Sequence, residues 1–366
     1  MLFRYAHADQ SKIACISLRW YIIFMSLKNK KIAILGTGAN GSCAAADITI
    51  AGYDVKLIDQ WPAHVNAMNK DGLTIHLPNE IRNVTVNAQH LCYLAEINHK
   101  FDYVFLFVKA YDTKWITKLI EPYLASDGIL VGVQNAMTAE RISSIVGPER
   151  TIACVVECSS ELFTPGIIQR DTINEKTWFG IGTNTEVMKN RLDEIKEILS
   201  SVGKVNIVED IISAKWMKLI INAMCMGPFA MLGSNLYEGF KIPKMKEAVM
   251  KIGTEALSVG QKHGYKIVPI FGLSEEQINN SNNPIELMLD KLIKDIGPNA
   301  RDAVFHDHLK GRYSEVDEIN GLVSDLGREY GIDTPINTEI VNVTKDIHSG
   351  KLSPSLDNLS FLTKYL

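Results

Sequence analysis

Residues 30–59, "KKIAILGTGANGSCAAADITIAGYDVKLID", decide the fold. Lys31 to Leu35 is an apolar run of the kind that is buried on both faces of a parallel sheet. Gly36, Gly38 and Gly41 follow in a G-x-G-x-x-G spacing, and the small, apolar "SCAAADITIAG" then predicts a closely packed helix. Gly52 ends that helix, and "YDVKLID" predicts a second strand. Strand, tight turn, helix and strand in about thirty residues is the context that gives such glycines their meaning, a Rossmann unit that holds a dinucleotide. Gly36 permits the turn, Gly38 lets the backbone approach a pyrophosphate, and Gly41 lets the helix sit on the strand. Unpaired N–H groups at the helix start favour an anion. Gly36, Gly38, Ala39, Asn40 and Gly41 are therefore the expected cradle. Asp59 ends the second strand, where a carboxylate accepts hydrogen bonds from ribose hydroxyls and repels a 2′-phosphate. That favours NAD(H) over NADP(H).

The rest of the chain bounds the possibilities. Its 366 residues suggest two domains, and 46% apolar with 22% charged residues is ordinary globular composition. A net charge of −4 offers no basic stripe for nucleic acid. Six cysteines without a C-x-x-C pair point to reduced thiols in a cytoplasmic protein. Near the start, "IACISLRWYIIFM" is interrupted by Arg19 and too short to span a bilayer, so no membrane association is expected. Met25 opens "MSLKNKKIAILG", a natural beginning for the unit above, so residues 1–28 read as an extension outside the fold.

"FDYVFLFVKA" (101–110) is a buried strand with Lys109 at its carboxyl end, the end of an open α/β sheet where ligands gather. "GILVGVQNA" is another, ending in Gln134 and Asn135, whose amides can hold a ligand or close a turn. Strand patterns persist to "KVNIVED"; beyond about residue 209 the pattern is helical. The polar "SEEQINNSNNP" (274–284) reads as an exposed connection, and "IISAKWMKLIINAMCMGPFAML" as a helix bent or ended near Gly227 and Pro228. The expected architecture is α/β: a Rossmann dinucleotide-binding domain over 29–208, then an all-helical C-terminal domain over 209–366.

Lys218 and Asn222 share one face of that apolar helix. A lysine there either loses hydration, which tunes it for proton transfer, or snorkels from the helix edge. In "GRYSEVDEINGLV", Ser314 and Asp317 resemble a capping pair, and Glu315, Asp317 and Glu318 cannot all face one site.

The chain from about Asn29 resembles the ketopantoate reductase (2-dehydropantoate 2-reductase) family. The matching landmarks, in order, are "GTGANG", "VKAYDT", "QNAM", "KWMKLIINA", "GRYSEVDEING" and "YGIDTPIN". The resemblance implies a Rossmann domain, a helical domain and an active site in the cleft between them. It implies that Lys218 donates a proton to the ketone oxygen, that Glu315 holds the substrate and arranges the site, and that Asn222 binds substrate. It places Asn135 near the nicotinamide and Lys109 where cofactor and substrate meet. It also implies NADPH as the usual cofactor, against the expectation from Asp59, and a homodimer. The chemistry is consistent: reducing a 2-keto acid needs hydride, a proton source and a polar clamp for the carboxylate.

Four departures bear on the substrate. Met226 stands where the family has a second asparagine, and Ala303 where it has a serine. "QNA" replaces "QNG", and "VFHDHLKGR" replaces an "SMLQD"-like run. His306 or His308 is a candidate to hold a carboxylate in place of that serine, whereas the pair lacks the spacing of a metal site. Two alternatives stay open: the same chemistry on another 2-oxo acid, or a dinucleotide sensor without turnover.

Overall fold

The computed structural model describes residues 26–297 and 300–366. Most of the N-terminal extension therefore lies outside the described residues. Leu27 does not: it is buried in the core, and its carbonyl accepts from Lys30 N–H at 3.1 Å. Residues 26–28, assigned to the extension from sequence, belong to the fold, because the Leu27 side chain is buried in its core.

The quoted stretch folds as β1 (Lys31–Leu35), α1 (Ala39–Ile50) and β2 (Asp54–Asp59), with the two strands parallel and in register from Lys31 opposite Asp54. Then come α2 (Pro62–Asp71), β3 (Leu73–His76), β4 (Ile81–Val84), β5 (Asn87–His90), β6 (Phe101–Leu106), α3 (Thr113–Ile120), β7 (Leu124–Val133) and α4 (Ala139–Val146). β8 (Thr151–Glu157), β9 (Ser160–Thr164), β10 (Ile167–Arg170), β11 (Trp178–Gly182), α5 (Leu192–Ser200) and β12 (Lys204–Ile207) complete the sheet region. The main sheet runs β12-β11-β8-β7-β6-β1-β2-β5, parallel except where β11 meets β8. Strand order reverses between β1 and β6, the switch point at which such sheets open a crevice. Both β1 and β6 are nearly wholly buried, as their unbroken apolar runs require.

A second sheet, β4-β3-β10-β9, was not expected. Its strands are short and half exposed, so their apolar pattern is weak. It matters because β9 leads away from β8 along the open crevice.

After Ile207 the described elements are helical. α6 (Ile211–Cys225) is buried all round except at Ile212, as a helix apolar on every face must be. It ends at Met226, and α7 (Gly227–Leu232) restarts with Pro228 in its first turn, as the sequence suggested. Around α6 pack α8 (Met245–His263), α9 (Pro284–Ile296), α10 (Ala303–Leu309), α11 (Asn320–Tyr330) and α12 (Pro335–His348). Gly260 of α8 lies so close to the Trp216 indole that an added Cβ would come within 1.9 Å of its nitrogen. Segment 274–284 is not merely a connection. Ser274 and Gln277 form a capping box on a short helix, Glu275–Asn279, a signal present in the sequence as S-x-x-Q. The Ser314–Asp317 pair forms no capping box: Ser314 Oγ accepts from Val316 N–H at 3.4 Å, but Asp317 turns to Lys345 and Tyr313, and only a 3-10 turn, Val316–Glu318, precedes α11.

Candidate active site

The glycine-rich turn has the shape its spacing demands. Gly36 adopts φ +89°, and a Cβ on Gly41 would meet the Gly36 carbonyl oxygen at 2.1 Å. Around Gly38 nothing lies within 4 Å of where a Cβ would stand, so the loop leaves open space over its backbone there. Asp59 fixes the loop from β2: Oδ2 accepts from Thr37 N–H at 2.6 Å and Oδ1 from Trp61 N–H at 2.8 Å. His64 fixes it from α2. Its Nδ1 accepts from Gly166 N–H at 2.9 Å, so Nε2 carries the proton and donates to Thr37 O at 2.8 Å. Burial lowers the His64 pKa, in keeping with that neutral ring.

A cleft of about 710 Å³ opens over the carboxyl ends of β1, β2, β6, β7 and β8, and α6 and α10 close its far side. All the expected site residues line it: Gly36, Gly38, Ala39, Asn40, Gly41, Asp59, Lys109, Asn135, Lys218, Asn222 and Glu315. Met226, Ala303 and His306 line it too.

α6 brings three polar groups to the sheet on one helical face, at Lys215, Lys218 and Asn222. Lys215 donates to the carbonyls of Gln134 at 2.8 Å and Cys154 at 3.3 Å, tying the helix to β7 and β8, and burial pulls its pKa down to about 8. Lys218 forms a buried ion pair with Glu157, the last residue of β8, while its ammonium sits 4.8 Å from the Phe271 ring centre. Asn222 donates to Asn135 Oδ1 at 3.0 Å. Ala136, next in the chain, takes φ +60°, the left-handed region that glycine occupies freely. The "QNA" departure therefore carries backbone strain of about 1 kcal/mol.

Across the cleft, Lys109 binds Asp307 at 2.7 Å and Glu315 at 3.5 Å, and Glu315 also accepts from Ala110 N–H at 2.7 Å. Burial opposes the Lys109 charge, but Glu315 and Asp307 outweigh it and leave its pKa above the ordinary lysine value. As the spacing required, Asp317 and Glu318 face elsewhere, Glu318 toward Arg141 at 2.6 Å. His306 turns to Glu161 at 3.3 Å; with Arg301 it brings the Glu161 carboxyl down to about 2 despite burial. Its Nε2 makes no aligned hydrogen bond among the described residues. His308 faces His348 instead, with ring centres 5.2 Å apart.

Sequence reading missed Glu157, Phe271 and Asp302. Glu157 looked like the end of a strand, and its partner lies 61 residues away. Asp302 caps α10 through Phe305 N–H at 2.8 Å, and its Oδ2 has no partner among the described residues. Burial pushes its carboxyl up to about 8. Because that exceeds the unfolded value, the folded state holds an extra proton between pH 4 and 8, and this group's contribution to stability falls as pH rises through that window. Asp302→Asn keeps a good cap and removes the titration. Its stability relative to wild type should rise by roughly 1 kcal/mol per unit between pH 5 and 7.5 in urea unfolding. A constant difference would mean the carboxyl is already ionised at pH 5.

A glycine cradle at a topological switch point, facing a buried lysine on a helical domain, defines a two-domain, dinucleotide-dependent oxidoreductase. The chain belongs to the ketopantoate reductase family. The family model described as "Ketopantoate reductase PanE/ApbA" matches residues 32–184, and its C-terminal counterpart matches residues 210–348. The 2-dehydropantoate 2-reductase of Archaeoglobus fulgidus is 23% identical over 333 residues, 88% of this chain and all of that one. Among solved structures, D-mandelate dehydrogenase with NADH and anilino(oxo)acetate aligns with TM-score 0.76 and 21% identity, covering 87% of this chain and 99% of that one. The dimeric ketopantoate reductase of Staphylococcus aureus aligns with TM-score 0.65 and 16% identity, covering 88% of this chain and 100% of that one. Among the described residues no helix is long and apolar enough to cross a membrane.

Proposed function

We propose that the protein reduces a 2-oxo acid to a 2-hydroxy acid, with ketopantoate to pantoate the leading reaction and NADH the favoured cofactor. The observation that carries this reading is Lys218, a buried ammonium in the cleft whose pairing with Glu157 commits one N–H and leaves two to donate. Lys218 gives its proton to the carbonyl oxygen. Glu157 keeps the ammonium in place, and Asn222 and Lys109 hold the acid. Glu315 fixes Lys109 and the backbone at Ala110, while Asn135 takes up the nicotinamide side of the cleft. A bound nicotinamide supplies the hydride. Gly36, Gly38, Ala39, Asn40 and Gly41 receive the pyrophosphate, which the open space at Gly38 supports.

Asp59 supports NADH: its carboxylate is anchored at the rim by two backbone N–H groups, where a 2′-phosphate meets a fixed negative charge. Asp59→Asn should shift the NADH-to-NADPH ratio of kcat/KM toward NADPH by about tenfold or more, read from absorbance at 340 nm with each cofactor. An unchanged ratio would remove Asp59 as the selector.

A second reading, the same chemistry on a larger apolar 2-oxo acid, is favoured by the wall of Met226, Leu236, Leu292, Ile296 and Ala300 in the same cleft. The likeness to D-mandelate dehydrogenase, bound to anilino(oxo)acetate, supports it. An apolar wall rejects a hydroxylated substrate only weakly, so both acids belong in the test. The reading includes a homodimer, supported by the dimeric relative, and a cytoplasmic setting, supported by the free thiols of Cys43, Cys92, Cys154, Cys158 and Cys225. Turnover of both acids with both cofactors tests it.

A further inference from the structure

The charges beside the glycine loop do not pair off evenly. Asp307 is shared by Lys109 at 2.7 Å and Arg312 at 3.6 Å, and Glu161 by Arg301 and His306. The side-chain ammonium of Lys310, half-buried at the end of α10, is left with no hydrogen bond or ion pair among the described residues. Its ammonium rests 4.6 Å from the ring centre of Phe163 on β9, and both residues line the cleft. Burial and then Arg312 pull its pKa down to about 8, with Asp307 and Glu161 acting the other way. An ammonium in that setting lacks a counter-ion.

β9 is fastened to the glycine loop at both ends. Ser160 Oγ lies 2.5 Å from Asn40 Oδ1, and Gly166, just past β9, reaches Thr37 through the neutral His64 ring. Phe163 lies between these two fastenings. The amine that rests on it comes from the helical side and lines the same cleft as the loop, whose helix-start N–H groups are suited to an anion.

We propose that Lys310 is the helical domain's ligand for a phosphate of the bound dinucleotide, meeting from the opposite wall the anion held by the glycine loop. The inference rests on the reading that this loop binds a dinucleotide. Lys310 then contributes affinity and couples cofactor binding to the position of α10, which also carries Asp307 and Ala303.

The test compares wild type, Lys310→Met and Lys310→Arg for the Kd of NADH and of ADP, by fluorescence titration at several salt concentrations, and for the KM of the 2-oxo acid. Lys310→Met should raise both Kd values about tenfold and flatten their salt dependence, with Lys310→Arg recovering most of the loss and KM changing less than twofold. Unchanged Kd values in Lys310→Met overturn the inference. So does a loss confined to the KM of the 2-oxo acid, which would make the substrate carboxylate the anion instead. Failure of the wild type to bind NADH contradicts the dinucleotide reading itself and takes the inference with it.

Discussion

Lys218→Met is expected to lower kcat by ~10²–10⁴, the range that a positioned proton donor contributes, with NADH affinity nearly unchanged. The ammonium reaches the cleft from α6, whereas the glycine loop and Asp59 lie at the ends of β1 and β2. On the proposed reading, cofactor binding and proton delivery are thus carried by different elements. Folding could confuse the result, because the variant leaves Glu157 buried without its cation. A double variant separates the effects. Lys218→Met with Glu157→Leu replaces the whole pair by apolar groups, a change that is commonly neutral or stabilising by about 1–4 kcal/mol. The double variant should melt near the wild type yet keep the low kcat. Recovery of kcat along with stability would show that Lys218 acts only on folding.

The second large effect is on stability. Glu157→Leu alone leaves the Lys218 ammonium buried and unpaired, at a cost of ~3–5 kcal/mol. Both side chains of the pair are about nine-tenths buried, so water can do little to screen the loss. By the usual proportion for domains of this size the melting temperature should fall by roughly 10 °C. A change within about 2 °C would mean that water reaches the pair. The cost should nearly vanish when Lys218→Met is added, since the stranded charge goes with it.

Local chemistry was readable in the sequence, and long-range chemistry was not. The glycine loop, Asp59 and the lysine–asparagine face of α6 are set by spacing within one turn or one helix, and the cleft gathers all of them. The partners that hold those groups come from far along the chain: Asp307 is 198 residues from Lys109, and Glu315 lies 205 from Ala110. No periodicity carries such pairings. Glu157 was hidden for the same reason, and the second sheet because its short, half-exposed strands resemble loops. Ala136 is the opposite case. The sequence showed the departure, but only the backbone, at φ +60°, shows what it costs.

The most direct measurement is oxidation of NADH by the purified protein with ketopantoate as acceptor, beside an apolar 2-oxo acid such as phenylglyoxylate. The account predicts turnover of a 2-oxo acid, ketopantoate first, faster with NADH than with NADPH and lost with Lys218→Met. A protein that binds NADH tightly yet oxidises it with neither acid would contradict the account.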